Sequence, residues 1–339
     1  MVPPDEGPFR RGCRHGTHTL EIDRSLALRM RPVQADEDSI TREGNGVLVV
    51  DQGRRLLQLK GTAHEIGFQQ GRLLSANVNR LVQHVVFGVG LIYSMEKGSW
   101  FMADARQLIE RQRPHIEEGF IEEMRGLAEG AELPLEWIQM ANIFPEFFHC
   151  SGTALFSEAT RGGRLLHARV LDYMTDVGLQ DEAVVIAVEK EGARRWVNVG
   201  YAGFIGSVTG MNESRVAIGE MGGGGEGDWD GTPMSFLVRG ALEQCDSLEE
   251  VLVYFREHPR TCEYYYVVSD GNTRNAAGLK ATPEILDIDR PVAMGSNLHN
   301  AVFAPEERML WVANAGRHTP ACAEPYAEYA WDDLFTPAD

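Results

Sequence analysis

The chain has 339 residues, 43 % of them apolar and 24 % charged, which is enough for one large globular domain or two ordinary ones. Its 32 basic and 50 acidic side chains leave a net charge of −18. That balance repels phosphate backbones and anionic lipid surfaces, and so argues against nucleic-acid or membrane partners. Five scattered cysteines (Cys13, Cys150, Cys245, Cys262 and Cys322) form no C-x-x-C pair, so neither a disulfide framework nor a zinc site is expected, and no cofactor is implied. With no apolar h-region in MVPPDEGPFRRGCRHGTHTL, the expected setting is reducing and cytoplasmic.

In chain order, residues 1–45 are rich in Arg, Pro, Gly and acid, and are expected to form a poorly ordered arm. Two short strands should follow, GVLVV and RRLLQLKG, split by the turn residues Asp51, Gln52 and Gly53. Residues 64–86 carry Ile66, Leu73, Leu74, Val78, Leu81 and Val82 near a 3.6-residue period, which predicts a helix. Residues 103–133 read as two helical pieces broken near Pro114, with Gly130 as a stop signal. Pro134 opens a further helix over 134–144. The longest apolar run, VVFGVGLIY at 85–93, falls well short of the roughly 20 residues that span a bilayer.

The texture then changes. Strands are expected in TALFS, in LLHARVLDY after the turn at Arg161–Arg164, and over 183–189, 194–200, 204–210, 216–222, 264–270, 276–281 and 284–289. Helices are expected over 232–245 and 247–258, the second opened by a capping box at Ser247 and Glu250. Consecutive strands joined by Gly-rich turns, with helices outside them, predict an α+β layered class.

The boundary between the helical and strand-rich halves is FPEFFHCSGT, and the boundary residue is Cys150. A thiolate is the competent nucleophile, and a free cysteine with a pKa near 8.5 is only a few per cent thiolate at neutral pH. If Cys150 began a new chain, its own α-amine, with an ordinary pKa of about 8, could serve as the base.

Four stretches carry a resemblance at this point: LKGTAHEIGFQQGRL (59–73), CSGTALFS (150–157), HARVLDY (167–173), and TGMNESRVAIGEMG (209–222) with the helix pair and strand that follow it. Their order over residues 46–310 resembles the acyl-coenzyme A:6-aminopenicillanic acid acyltransferase family. That family is peptidase C45-like and belongs with the N-terminal-nucleophile hydrolases, the wider group of bile salt hydrolase and penicillin V acylase. The resemblance implies a four-layer αββα sandwich of antiparallel sheets. It divides the chain into an α-segment at 46–149, a pro-region or retained α-chain, and a β-segment at 150–339 that begins at the nucleophile.

It also implies self-cleavage between His149 and Cys150. The fungal acyltransferase has glycine in place of His149, and the imidazole here would either slow the acyl shift or assist it as a base. By resemblance, Asp172 holds the new α-amine, Arg169 lies beside the thiol and favours its anion, and Asn297 donates to the developing oxyanion. Asn300 is a rival three residues on. Residues three apart on a strand face opposite ways, so Arg169 and Asp172 share a site only if the strand bends or ends between them. Val170 stands where the wider group often has Asn, which would alter polar contacts beside the pocket. The wider group has an oxyanion asparagine near Gly222. Here the Gly-rich stretch around Met221, Gly222 and Gly223 is read as a pocket rim offering a backbone N–H instead. Its glycines are not a P-loop, since no Gly-Lys-Ser/Thr follows and Glu226, Asp228 and Asp230 would repel phosphate.

The expected activity is cleavage of amide bonds through an acyl-enzyme, as an amidohydrolase or acyltransferase. The partner is a small acyl amide, with an acyl-coenzyme A donor in the transfer case. Two alternatives stay open: an unprocessed thiol hydrolase pairing Cys150 with a histidine base, and a non-catalytic binding protein with Cys150 as an inert core thiol.

Overall fold

Arg54–Gly61 alternates half-buried and buried residues along its length, the mark of a strand with one covered face. It belongs to a ten-stranded sheet in the computed structural model, which describes residues 37–98, 100–143, 150–157, 160, 162–171, 178–224, 227–288, 299–314 and 324–336. The strands are β1 (Ser39–Glu43), β2 (Gly46–Asp51), β3 (Arg54–Gly61), β4 (Cys150–Ser157), β5 (Gly163–Leu171), β6 (Ala183–Lys190), β7 (Trp196–Tyr201), β8 (Thr209–Asn212), β9 (Val216–Gly222), β10 (Tyr264–Asp270), β11 (Asn275–Ala281), β12 (Leu286–Ile288), β13 (His299–Ala304), β14 (Met309–Asn314) and β15 (Ala327–Ala330). The larger sheet runs β1-β2-β3-β6-β7-β8-β9-β10-β11-β12 and the smaller β15-β14-β13-β5-β4. The described pairings are antiparallel except β3 with β6, where Leu56 registers with Val185 in parallel. The α+β class with two antiparallel-rich sheets is therefore as the sequence led us to expect.

The helices are α1 (Ala63–Leu73), α2 (Ser75–Val82), α3 (Gly90–Lys97), α4 (Phe101–Gln112), α5 (Glu118–Ala131), α6 (Leu135–Ile143), α7 (Met234–Gln244), α8 (Leu248–Glu257) and α9 (Trp331–Leu334). A π-helical turn at Gln83–Val89 joins α2 to α3. One apolar core lies between the sheets, built from Val185, Val197, Val199 and Ala217 against Ala301, Phe303, Leu310 and Val312. A second fills the space between the larger sheet and the helices, with Leu57, Ile66, Leu127, Ile218, Leu237 and Phe255 fully buried. On β5, Leu165, His167, Arg169 and Leu171 are buried, while Leu166, Ala168 and Val170 on the opposite face are half-buried. No helix among the described residues is long and apolar enough to cross a membrane.

Several local expectations change. Residues 1–36 lie outside the described residues, but β1 lies inside the stretch expected to be a disordered arm: it pairs with β2 from Ser39–Val50 to Glu43–Gly46. The run at 204–210 is strand only from Thr209. Before that, the Ile205 N–H donates to Asn142 Oδ1 on α6 (2.8 Å) and the Ser207 N–H to the Ser235 carbonyl on α7 (3.0 Å), so helices satisfy the backbone groups that a strand would have used. At Ser247 the hydroxyl caps the Glu250 N–H, but the Glu250 carboxylate accepts from Asp246. The full capping box is at Thr62 and Glu65, where it starts α1.

Gly130 does not stop α5, which runs on to Ala131 and ends at Glu132 in the left-handed region (φ 58°). It serves contact instead. A Cβ on Gly126 would lie 2.0 Å from the His64 carbonyl oxygen, and one on Gly130 would lie 2.4 Å from that of Phe68. Gly67 and Gly71 on α1 meet the Glu123 and Leu127 carbonyls in the same way, so α1 and α5 touch backbone to backbone. α5 also carries Glu123, whose side chain holds the buried Arg239 of α7 through two bonds, at 2.8 and 2.5 Å. Arg239 also donates to Glu243 (2.8 Å) and to the Ile205 carbonyl (2.7 Å), and Lys190 of β6 pairs with Glu243. Burial raises the Glu123 carboxyl. Burial pushes Glu243 up as well, but Arg239 and Lys190 together reverse this and hold it low.

Gly126→Ala is expected to lower the unfolding free energy by about 1–3 kcal/mol in urea titrations, because the added methyl meets backbone that has no rotamer to retreat into. Gly119→Ala, on the same helix with nothing within 4 Å, should be neutral or stabilise by up to about 1 kcal/mol.

Candidate active site

Cys150 is the first residue of β4, and β4 is the edge strand of the smaller sheet. It registers with Leu171, and Gly152 registers with Arg169. Cys150 and Arg169 are thus diagonal cross-strand neighbours, with Cα atoms roughly 7–8 Å apart, a separation that long side chains bridge. Of the other candidates, His149, Asp172 and Asn297 lie outside the described residues.

Arg169 is fully buried between the sheets. Its Nε donates to the Glu220 carbonyl (3.0 Å) and its Nη2 pairs with Glu220 Oε2 (3.3 Å), with both side chains almost wholly removed from water. A guanidinium in such a place demands charged and polar compensation, and β9 supplies it. The stem crosses the gap because β9 has glycine opposite: a Cβ on Gly219 would lie 2.8 Å from Arg169 Cγ and 2.9 Å from His167 Nε2. One step further along, Met221 is buried over β4, where a Cβ on Gly152 would lie 2.6 Å from its sulfur. Gly222 registers with Tyr264, and Gly223 approaches the Glu263 carbonyl so closely that a Cβ would lie 2.3 Å from its oxygen. The expected rim residues therefore sit where β9 ends, beside the start of β4.

His167 binds Ser269 on β10 through Nδ1 (2.8 Å) and stacks edge-on against Phe303. Burial, reinforced by the Arg169 charge, pushes its pKa down to about 3. It is a neutral strut between sheets, and it registers with Ala154, four residues along the strand from Cys150. His299 registers with Leu171 from the other side, so it occupies the same row as Cys150 across β5. The rival Asn300 registers with Val170, the row of Ser151. Val170 is half-buried, on the face of β5 opposite Arg169. Among the described cysteines, Cys245 and Cys262 are buried and not disulfide-bonded, and burial pushes the Cys245 thiol up to about 12, which makes it inert. No cluster of metal-ligating side chains occurs among the described residues.

Glu220, Ser269 and Gly219 escaped the sequence reading. Glu220 left one trace: it is the single charged side chain in the otherwise apolar VAIGEMG strand.

A cavity of about 140 Å3 lies nearby in the chain, between α3, α4, α6 and the loop after β9 that carries Trp229.

Gly219→Ala should destabilise by about 1–3 kcal/mol, since both groups it would strike are fully buried. The His167 pKa gives a pH effect of definite sign. Below pH 6.5 the unfolded chain takes up a proton that the folded chain refuses until about pH 3, so stability falls across that window. Urea midpoints at pH 7 and pH 4 should show wild type losing a few kcal/mol more than His167→Asn, and equal losses would contradict this.

Residues 160–293 match the family described as acyl-coenzyme A:6-aminopenicillanic acid acyl-transferase. Protein dcd1A of Dictyostelium discoideum is 23% identical over 263 residues, covering 69% of this chain and 59% of that protein. The acid ceramidase of Bos taurus is 30% identical over 156 residues, 39% of each chain. The N-acylethanolamine-hydrolyzing acid amidase of Rattus norvegicus is 22% identical over 197 residues, covering 54% of this chain and 52% of that one. The chain spans about half the length of the curated relatives it matches. Among solved structures, a mutant conjugated bile acid hydrolase from Clostridium perfringens aligns at TM-score 0.40 and 11% identity, over 56% of this chain and 95% of that one. The penicillin V acylase of Agrobacterium tumefaciens aligns at TM-score 0.37 and 10% identity, over 55% and 88%. The family that the four motifs resemble is thus the family whose profile the chain matches, over a shorter span than the motifs cover.

Proposed function

We propose that the chain is an autoproteolytic cysteine N-terminal-nucleophile enzyme that cleaves small acyl amides through an acyl-enzyme. The observation that carries this reading is the place of Cys150, at the first position of an edge strand with the buried Arg169 as its diagonal neighbour. The names of its relatives, an acid ceramidase and an N-acylethanolamine-hydrolyzing amidase, agree with an amide substrate.

In the first step the Cys150 thiol attacks the His149 carbonyl carbon. The peptide C–N bond breaks, a thioester forms, and the nitrogen leaves as the α-amine of Cys150. Water then attacks the thioester, releasing the carboxylate of His149 and restoring the thiol. In turnover the α-amine accepts the thiol proton as sulfur attacks the substrate carbonyl, then passes it to the departing amine. Arg169 favours the thiolate, Asp172 orients the amine, and Asn297 with a backbone N–H of the Met221–Gly223 rim steadies the oxyanion. Water as second acceptor gives hydrolysis, and an amine gives acyl transfer, with an acyl-coenzyme A as the alternative donor.

The α-segment stays attached in this reading. β3 is hydrogen-bonded into the same sheet as β6, and the buried Glu182 holds Arg80 and Asn77 of α2 at 2.7 Å each. Cleavage should therefore give two fragments on a denaturing gel, split before Cys150 by intact mass, that still co-elute in native gel filtration. Cys150→Ala should remain one chain and be inactive. The second reading, an unprocessed thiol hydrolase, draws on His299 sharing the row of Cys150. A full-length chain that is active and loses activity in His299→Ala would replace the first reading with this one. Within the first reading, Asn297→Ala should lower kcat about 10²–10³-fold with little change in KM, as measured by initial rates on an acyl p-nitroanilide.

A further inference from the structure

The edge of a sheet presents a row of unpaired N–H and C=O groups, which natural chains guard with charge, proline, bulges or short length. Of the four edges of the two sheets, three are guarded. β1 is five residues long and carries Arg42 and Glu43, and β12 is three residues long and carries Asp287. β15 is four residues long, carries Glu328 and runs straight into α9. The fourth edge is β4, eight residues reading CSGTALFS, with no charge and no proline. Among the described residues only β5 pairs with it.

The unguarded stretch is bounded. β4 keeps an unbroken antiparallel register with β5 from Cys150–Leu171 to Leu155–Leu166, and an irregularity between Leu155 and Ser157 then ends it. The regular edge therefore begins at Cys150 and runs for about 17 Å, the rise of five strand steps. Thr153 and Leu155, on one face, are exposed, Leu155 at 44 %. Gly152 and Ala154, on the other face, are half-buried. Antiparallel pairing uses alternate residues on each side of a strand, so every second residue of this stretch turns its N–H and C=O away from β5.

We propose that an extended peptide adds to β4 as a further strand of the smaller sheet, beginning at Cys150, so that the substrates are peptidyl amides rather than alkanoyl amides. The peptide lies on the acyl side of the scissile bond. There its hydrogen bonds persist after the amine has left and the acyl group is a thioester on Cys150, until water releases it as the peptide carboxylate. Main-chain bonds supply the affinity, and Leu155 meets an apolar side chain about four residues from the scissile carbonyl. This deepens the amide-cleaving reading above and rests on it.

Amide hydrogen exchange on full-length Cys150→Ala, which cannot turn over, reports the edge directly. The outward amides of 151–155 should exchange fast in the free protein and slow at least about tenfold with acetyl-tetraalanine amide, with β1 and β15 unchanged. No slowing overturns the proposal. Slow exchange in the free monomer overturns it too, since another segment of the chain then covers β4. So does a dimer in native mass spectrometry that protects β4, since a second copy is then the occupant. Activity is measured on p-nitroanilides. Wild type should favour acetyl-tetraalanyl over dodecanoyl, a chain of similar length with no internal amide, by at least about tenfold in kcat/KM, which two hydrogen bonds of ordinary net strength supply. N-Methylation of single alanines should cost about tenfold at every second position and little between, the period of a strand. Leu155→Lys, which charges the edge, should lower the ratio of acetyl-tetraalanyl to acetyl-alanyl turnover about tenfold. A flat methylation profile, or a preference for dodecanoyl, overturns the proposal and leaves the amide-cleaving reading in place. Protection of β4 by the peptide without turnover of any anilide overturns the amide-cleaving reading and the substrate assignment that rests on it, and leaves only a peptide-binding edge standing.

Discussion

A guanidinium held wholly out of water between two sheets is the constraint from which the centre of this molecule follows. An isolated buried cation is prohibitively expensive, so Arg169 has to meet a carboxylate and a carbonyl, and Glu220 of the opposing sheet supplies both. The sheets then have to approach closely enough for that contact, which leaves room only for glycine at position 219. The neighbouring imidazole of His167 has to be neutral, since burial disfavours its charged form and the Arg169 charge beside it adds to that. The same short distance lays Met221 over Gly152 and so brings the end of β9 to the start of β4. The approach of the end of β9 to an edge-strand cysteine is in this sense a consequence of how one charge is buried.

A second buried cation organises the helical side. Arg239 is shared between Glu123 of α5 and Glu243 of its own helix, and it lies over the rings of Phe120 and Trp196. Since α5 is already locked to α1 through glycine contacts, Arg239 fixes a rigid helix pair from the first part of the chain onto the second. The Arg80–Asn77–Glu182 cluster and the Asn142 bonds to residues 203 and 205 do the same elsewhere. These contacts are wholly or largely removed from water.

The loop after β9 joins the two regions. It leaves β9 after Gly222 and is clamped at Asp230 by Arg111 of α4, with Trp229 lining a cavity beside that helix. Its glycines give it the turns, and its acidic residues give it a partner on the helix. A sequence rich in glycine and acid reads as flexible, yet the fork leaves part of it fixed.

Periodicity and turn chemistry alone were enough for most elements, because those signals are local. VAIGEMG is strand over its whole length, Pro114 separates two helices, and Ser247 caps the next. The place of Cys150 at a strand start was also legible, from the change of texture and the motif that follows it. What lay beyond the sequence involves partners distant in the chain. Gly130 looks like a helix stop until Phe68 is found against it, and FIGSVTG looks like a strand until Asn142 and Ser235 take its backbone groups. The strands after residue 298 were not anticipated at all, since they gain their identity by pairing outward in series from β5, β13 on β5, β14 on β13 and β15 on β14. Glu220 as the partner of Arg169, and Trp229 as a cavity wall, belong to the same class. The sequence by itself determined the elements and the place of Cys150 at a strand start, because those depend on neighbours along the chain. Only the tertiary structure decided what is buried against what, because burial and charge pairing depend on neighbours in space.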